Sequence, residues 1–227
     1  MENKTAIIAG ATGLIGSELL EQVIQDNYYQ KIYVLTRREL ELTHERVEPL
    51  LLNYDEFRAE DLPKVQDVYC CLGTTMKNAG SKSAFRKVDY HYPLKLAELC
   101  RKNGATQYLL VSSMGANKNA RFFYNQVKGE IEEALAAAGY PTLHIFRPSI
   151  LLGDREEKRG GEKVAQALMK AVSPVMLGKL KNYRPIYAKT VAEAMFMAAR
   201  QKLSGPHLFA SEQIKVLAGE YEKAVEA

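Results

Sequence analysis

Residues Thr5–Gly16 read TAIIAGATGLIG, and the rest of the chain is organised around them. Ala6, Ile7, Ile8 and Ala9 form an apolar run too short for a helix and closed by glycine, the pattern of a buried parallel strand. Glycines follow at Gly10, Gly13 and Gly16, and Ser17–Gln25 then carries apolar residues at helical spacing. Strand, glycine turn and helix in that order are the context of a dinucleotide fingerprint. Gly10 is read as the tight turn, Gly13 as the place where backbone approaches a pyrophosphate, and Gly16 as the close contact between helix and strand. N–H groups of the first helical turn and the helix dipole then face the anion.

Bulk composition narrows the class. The 227 residues are 47% hydrophobic and 26% charged, which suits one α/β domain. A formal charge of +4 without a concentrated basic stripe argues little for nucleic acid, and none is expected as a partner. Lys77, Lys82, Arg86 and Lys87 do gather on one patch, read as a solvated face, with a cofactor or substrate phosphate as the alternative. Cys70 and Cys71 are adjacent in an apolar run and Cys100 is distant, so they form no disulfide or metal framework, and a reducing compartment is expected. No apolar signal segment opens the chain and no run approaches about 18 apolar residues. The expectation from these features is a cytoplasmic protein that crosses no membrane.

Further along, Lys31–Thr36 is a second strand ending in Arg37 and Arg38, with no carboxylate before Glu39. An NAD site places an acidic residue about 20 residues beyond the glycines to hold the ribose 2′-OH. A guanidinium there instead suits a 2′-phosphate, which predicts NADPH over NADH. Val47–Asn53 reads as a third strand, where Pro49 suggests either an edge position or a late start. Asp67–Leu72 is a fourth, running into Gly73-Thr74-Thr75, and Ser81–Asn103 contains a long amphipathic helix with Pro93 near its first turn. Gln107–Val111 and Thr142–Phe146 are further strands around a helix over about residues 122–138. Asp154–Lys163 is a charged loop and Val164–Val172 a short helix, and the tail carries a helix, a short strand and a last helix. This alternation predicts a Rossmann-like, doubly wound parallel sheet with helices on both faces. The whole chain, 1–227, is read as one domain: about 1–150 as cofactor-binding core, and about 151–227 as a small substrate-side cap with C-terminal elements.

The chemistry is expected after the fifth strand. Tyr124 and Lys128 form a Y-x-x-x-K, so phenol and ammonium share one helix face. A free phenol, with a pKa of about 10, is a poor acid–base group at neutral pH, and a neighbouring ammonium brings phenolate into range. Ser112 and Ser113 end the preceding strand, where a hydroxyl can hydrogen-bond a carbonyl being reduced. His44 and His91 stand alone, Arg147 ends a strand, and Arg155, Glu156 and Glu157 read as a solvated loop.

The stretches CCLGTTMKNAG, VDYHYPLKLAELC, VSSMGAN, FYNQVKGEIE and FRPSILLGDREE together resemble the atypical short-chain dehydrogenase/reductases of the Tat-interacting-protein type, over most of residues 5–200. The resemblance implies a Rossmann fold and NADPH, with Ser113, Tyr124 and Lys128 at the catalytic positions. It places Gly10, Thr12, Gly13, Leu14 and Ile15 at the phosphates, Arg37 at the 2′-phosphate, and Leu72, Gly73 and Thr74 beside the ribose or nicotinamide, where Tyr124 and Lys128 also meet the cofactor. Asn53 stands where the family has an aspartate at the adenine pocket. The function implied is NADPH-dependent hydride transfer to a carbonyl-like small molecule. The alternative is an NADPH sensor that acts through a protein partner without turnover. Neither the substrate nor an oligomeric state is legible here.

Overall fold

The computed structural model describes residues 4–40, 44–153, 178–201 and 203–225. The charged loop and short helix expected over 154–172, with Arg155, Glu156 and Glu157, lie outside the described residues.

Seven parallel strands form the central sheet in the order β3-β2-β1-β4-β5-β6-β9. They are β1 (Thr5–Ala9), β2 (Lys31–Thr36), β3 (Val47–Leu51), β4 (Asp67–Cys70), β5 (Gln107–Val111), β6 (Thr142–Arg147) and β9 (Gly205–Ala210). A separate pair, β7 (Leu151–Leu152) and β8 (Ile186–Tyr187), lies beside it. The chain starts in the middle of the sheet, adds β2 and β3 on one side, and then crosses to add β4, β5 and β6 on the other. The two halves diverge between β1 and β4, which is where an open α/β sheet leaves a crevice above its strand ends. Of the two readings Pro49 allowed, the edge is the one found: the proline lies opposite Val34 of β2, the only strand that pairs with β3 among the described residues.

Alternation along the strands builds two cores. Ala6 and Ile8 of β1, Tyr69 of β4, Leu109 of β5 and Phe146 of β6 face one side. There α1 (Leu14–Gln25), α6 (Ala188–Arg200) and α7 (Ser211–Val225) cover them. Ile7, Ala9, Val68, Cys70, Tyr108 and Leu110 face the other side, under α4 (Tyr92–Lys102) and α5 (Phe123–Ala137). Each fully buried Leu, Ile or Phe contributes about 1.5–3 kcal/mol, so both helix layers are held by their apolar stripes. Of the residues expected to form a cap, α6, β9 and α7 therefore complete the main layers, and β7–β8 stands apart.

Within Ser81–Asn103 the expected helix with Pro93 in its first turn is α4, and the segment before it is also helical but interrupted. The whole consists of α3 (Lys82–Arg86), a π turn over Lys87–His91, and α4, preceded by a single turn, α2 (Met76–Ala79). Proline explains the break: Pro93 has no N–H to return to the carbonyl four residues back, so the helix widens over that stretch. The widened turn points Asp89 inward, where it is 1% exposed.

His144 of β6 faces His207 of β9 across the sheet, with ring centroids 5.5 Å apart. It is fully buried, and neither ring nitrogen has a hydrogen-bond partner among the described residues. Burial, reinforced by His207, pushes its pKa down from 6.5 to about 4. Between those values the unfolded chain takes up a proton that the folded chain refuses, so stability falls as pH falls through this window. Urea denaturation at about pH 7 and pH 4.5 is expected to show a loss roughly 2–3 kcal/mol larger in the wild type than in His144→Leu. Equal losses in both would mean that His144 does not titrate in this window.

Candidate functional site

The crevice is built where β1, β4 and β5 end. Gly10 leaves β1 with φ +84°, a conformation that side chains resist. A Cβ on Gly16 would lie 2.1 Å from the Gly10 carbonyl oxygen, so only glycine lets α1 sit this close to the turn. Gly13 donates its N–H to the Gly10 carbonyl at 2.9 Å and starts the helix without a side-chain cap. Thr12 and Gly13 are exposed, Leu14 is half-buried and Ile15 is buried in the core, so the turn presents backbone, not side chains, to solvent. An uncapped helix start behind an exposed glycine turn is a cradle for a pyrophosphate. It fits a dinucleotide.

At the end of β2, Arg37 and Arg38 are exposed, and Arg37 has no ion-pair partner among the described residues. Its charge acts on the buried Tyr54, whose hydroxyl donates to the Leu35 carbonyl at 3.4 Å. Asn53 uses its side-chain oxygen locally: it accepts the Asp55 N–H at 3.1 Å and closes the turn after β3. At the basic patch, Arg86 pairs with Glu130 at 2.6 Å and Lys87 with Asp55 at 2.8 Å, while Lys82 lies 5.3 Å from the Phe123 ring.

The loops after β4 and β5 carry the remaining groups. Leu72, Gly73 and Thr74 follow Cys70 and Cys71, and the Thr74 N–H donates to Asp89 Oδ2 at 2.9 Å. Lys128 Nζ lies 2.8 Å from Asp89 Oδ1, with side-chain exposures of 5% and 1%. Burial alone would lower the Lys128 pKa; the Asp89 carboxylate overrides it and holds the ammonium above its ordinary value. Tyr124 is half-buried one helical turn away, its ring 5.5 Å from Phe85. The start of α5 is fastened to the loop after β5, because Asn125 donates to the Gly115 carbonyl at 2.8 Å and accepts the Asn117 N–H at 3.0 Å. Tyr124, Lys128 and the Ser113 loop are thus brought to the same end of the sheet as the glycine turn.

The two serines separate cleanly. Ser112 donates to Glu132, a buried carboxylate on α5 that also accepts the Arg147 guanidinium through Nε at 2.9 Å. That network joins the ends of β5 and β6 to α5, so Arg147 does more than end its strand. The Ser113 hydroxyl is buried with no partner among the described residues. A buried hydroxyl without a partner is costly unless a ligand satisfies it. Of the two serines, Ser113 is therefore the one whose hydroxyl the described residues leave unused.

Asp89 and Glu132 were not anticipated from the sequence, though a signal existed. Phe85, Asp89, Pro93, Leu96 and Cys100 follow one another at helical spacing and all are buried, which puts a carboxylate in an otherwise apolar stripe.

Together the sheet order, the glycine turn and the Ser113, Tyr124 and Lys128 groups define a dinucleotide-binding Rossmann protein of the short-chain dehydrogenase/reductase class. Residues 6–210 match the NAD dependent epimerase/dehydratase family, and the chain belongs to it. It is 39% identical over 171 residues to Protein HTATIP2 of Rattus norvegicus, covering 73% of this chain and 70% of that protein. It is 35% identical over 191 residues to the protein named FMP52, mitochondrial, of Eremothecium gossypii, covering 83% and 85%. Among solved structures it resembles a UDP-N-acetylglucosamine 4-epimerase from Methanobrevibacter ruminantium, with TM-score 0.68, 19% identity and coverage of 100% and 84%. The Bordetella bronchiseptica enzyme WbmH, solved with NAD+, aligns with TM-score 0.66 and 16% identity over 98% and 81%. At these identities the structures speak for the fold.

The relatives correct one expectation. Several carry "mitochondrial" in their names, which conflicts with a purely cytoplasmic assignment. The physical reason is plain: free cysteines report a reducing environment and not a compartment, and transit peptides are amphipathic rather than apolar. Among the described residues no helix is long and apolar enough to cross a membrane.

Proposed function

We propose that the chain is an NADPH-dependent oxidoreductase that passes a hydride to a carbonyl-like substrate. What supports this most is the unpartnered, buried Ser113 hydroxyl in the loop after β5, the loop to which Asn125 fastens the helix that carries Tyr124 and Lys128. A bound nicotinamide supplies the hydride. Tyr124 gives its phenolic proton to the substrate oxygen, and the Ser113 hydroxyl donates a hydrogen bond to that same oxygen, stabilising the charge that develops there. Lys128, four residues along the same helix face, stabilises the phenolate that remains. Its ammonium also offers donors to a ribose. Helix α1 holds the pyrophosphate on backbone N–H groups, and Arg37 grips the 2′-phosphate.

The family carries NAD in its description, and the choice of NADPH rests on the exposed Arg37, which has no ion-pair partner among the described residues, in a stretch with no carboxylate before Glu39. Calorimetric titration of NADPH and NADH, on the wild type and on Arg37→Ala, tests it. Losing the charged contact is expected to weaken NADPH by about 10- to 100-fold, with NADH little changed. Equal weakening of both nucleotides would remove the phosphate role from Arg37. Failure of the wild type to bind either would leave the glycine stretch as a structural turn and end the oxidoreductase reading.

A further inference from the structure

Resting on the dinucleotide reading above, we propose that Asp89 is a positioning residue that holds Lys128 and the Leu72–Thr74 loop in register, so that cofactor binding depends on a side chain that need not touch the cofactor.

The division of its oxygens carries the inference. Oδ1 faces the Lys128 ammonium at 2.8 Å and Oδ2 accepts the Thr74 N–H at 2.9 Å. One carboxylate thereby joins helix α5 to the loop that leaves β4. The pair lies directly behind the wall of the crevice: a Cβ placed on Gly73 would be 3.5 Å from Asp89 Oδ1 and 3.8 Å from Lys128 Nζ. Gly73 itself is exposed. A ligand lying along the Gly73 peptide therefore comes within reach of both members of the pair. Lys128 has three donors, and Asp89 is its only hydrogen-bonding or ion-pair partner among the described residues. The others remain for a ligand.

A purely structural ion pair at this place would be a poor solution. Removing two charges from water is costly, and an apolar pair of similar volume serves stability as well or better. The π turn adds to the disadvantage, since it interrupts the regular helix and such widened turns concentrate at functional sites. Both features make sense if the position of the ammonium is what they secure. A lysine has a flexible four-carbon stem, and without an anchor its Nζ has no fixed place relative to Tyr124 one turn away.

The test is calorimetric titration of NADPH into the wild type, Asp89→Asn, Lys128→Met and the double variant, each below its own melting temperature. Asn keeps the shape and the acceptor for the Thr74 N–H but removes the charge. Asp89→Asn and Lys128→Met are each expected to weaken NADPH by about tenfold or more, and the double variant to be no weaker than Lys128→Met alone, because Asp89 acts through Lys128. Asp89→Glu serves where Asp89→Asn leaves too little folded protein. It retains both charges, and the extra methylene displaces Nζ, so a near-native melting temperature with several-fold weaker NADPH is expected. If the variants lose thermal stability yet bind NADPH as the wild type does, Asp89 is structural only and the inference falls. Additive losses in the double variant would also overturn it, since Asp89 would then act independently of Lys128. A wild type that binds no nucleotide would instead sink the dinucleotide reading and this inference with it.

Discussion

Gly129→Ala is expected to destabilise the protein by roughly 3 kcal/mol, against the ordinary helix preference for alanine. Gly129 lies inside α5, where alanine is normally favoured by about 1 kcal/mol. Its Cβ, however, would fall 2.2 Å from the Asn117 carbonyl carbon, 2.2 Å from the Lys118 nitrogen and 2.5 Å from the Asn117 Cα. All three are backbone atoms and cannot turn aside, so the clash outweighs the propensity. The helix must move away from the loop after β5, carrying the adjacent Lys128 with it, and NADPH binding by the remaining folded protein is expected to weaken. Gly219→Ala in α7 is the control, because nothing among the described residues lies within 4 Å of a Cβ there. Chemical denaturation should find that variant unchanged or stabilised by up to about 1 kcal/mol. A Gly129→Ala protein as stable as the wild type would mean that α5 and the 117–118 loop do not touch as described.

Tyr124→Phe is expected to reduce carbonyl turnover by about 10²- to 10⁴-fold while leaving the NADPH dissociation constant within about threefold. The ring that packs near Phe85 is retained, so the fold has little reason to change. Only the acidic proton is lost. A panel of aldehydes and ketones, followed by NADPH absorbance, separates the outcomes. A wild type that binds NADPH but reduces no member of the panel would favour the regulatory alternative, in which occupancy and not turnover is the output. Turnover unaffected by the substitution would remove Tyr124 as the acid.

Much of this architecture is legible in local sequence. The strands are short apolar runs with one periodicity, and β2 and β5 fall where the runs begin and end. The glycine turn is equally clear, because Gly10 and Gly16 answer to sterics that no other residue meets. Less legible are features set by contacts between distant segments. The break at Lys87–His91 comes from Pro93 and sets Asp89 against a lysine on α5, and helical periodicity alone runs straight through it. The choice between Ser112 and Ser113 depends on Glu132, twenty residues from the first in sequence. The hydrogen bond from the Asp55 N–H to the Asn53 side-chain oxygen shows only once the turn after β3 is formed. The role of Arg147 likewise emerges only when β6 is laid beside α5.

The order of strands also bears on how the chain leaves the ribosome. Since β1 lies in the interior of the sheet and each later strand docks on an edge already formed, strand pairing can proceed by accretion as the nascent chain emerges. The exception is the far side of β6, which pairs with β9 only after the intervening segment has been made. During that interval the backbone of β6, with Phe146 on the face that α6 and α7 later cover, forms an open, sticky margin. Chains truncated before Gly205 are therefore expected to be the ones that aggregate, and chaperones that shield unpaired strand edges would matter most in that window of synthesis.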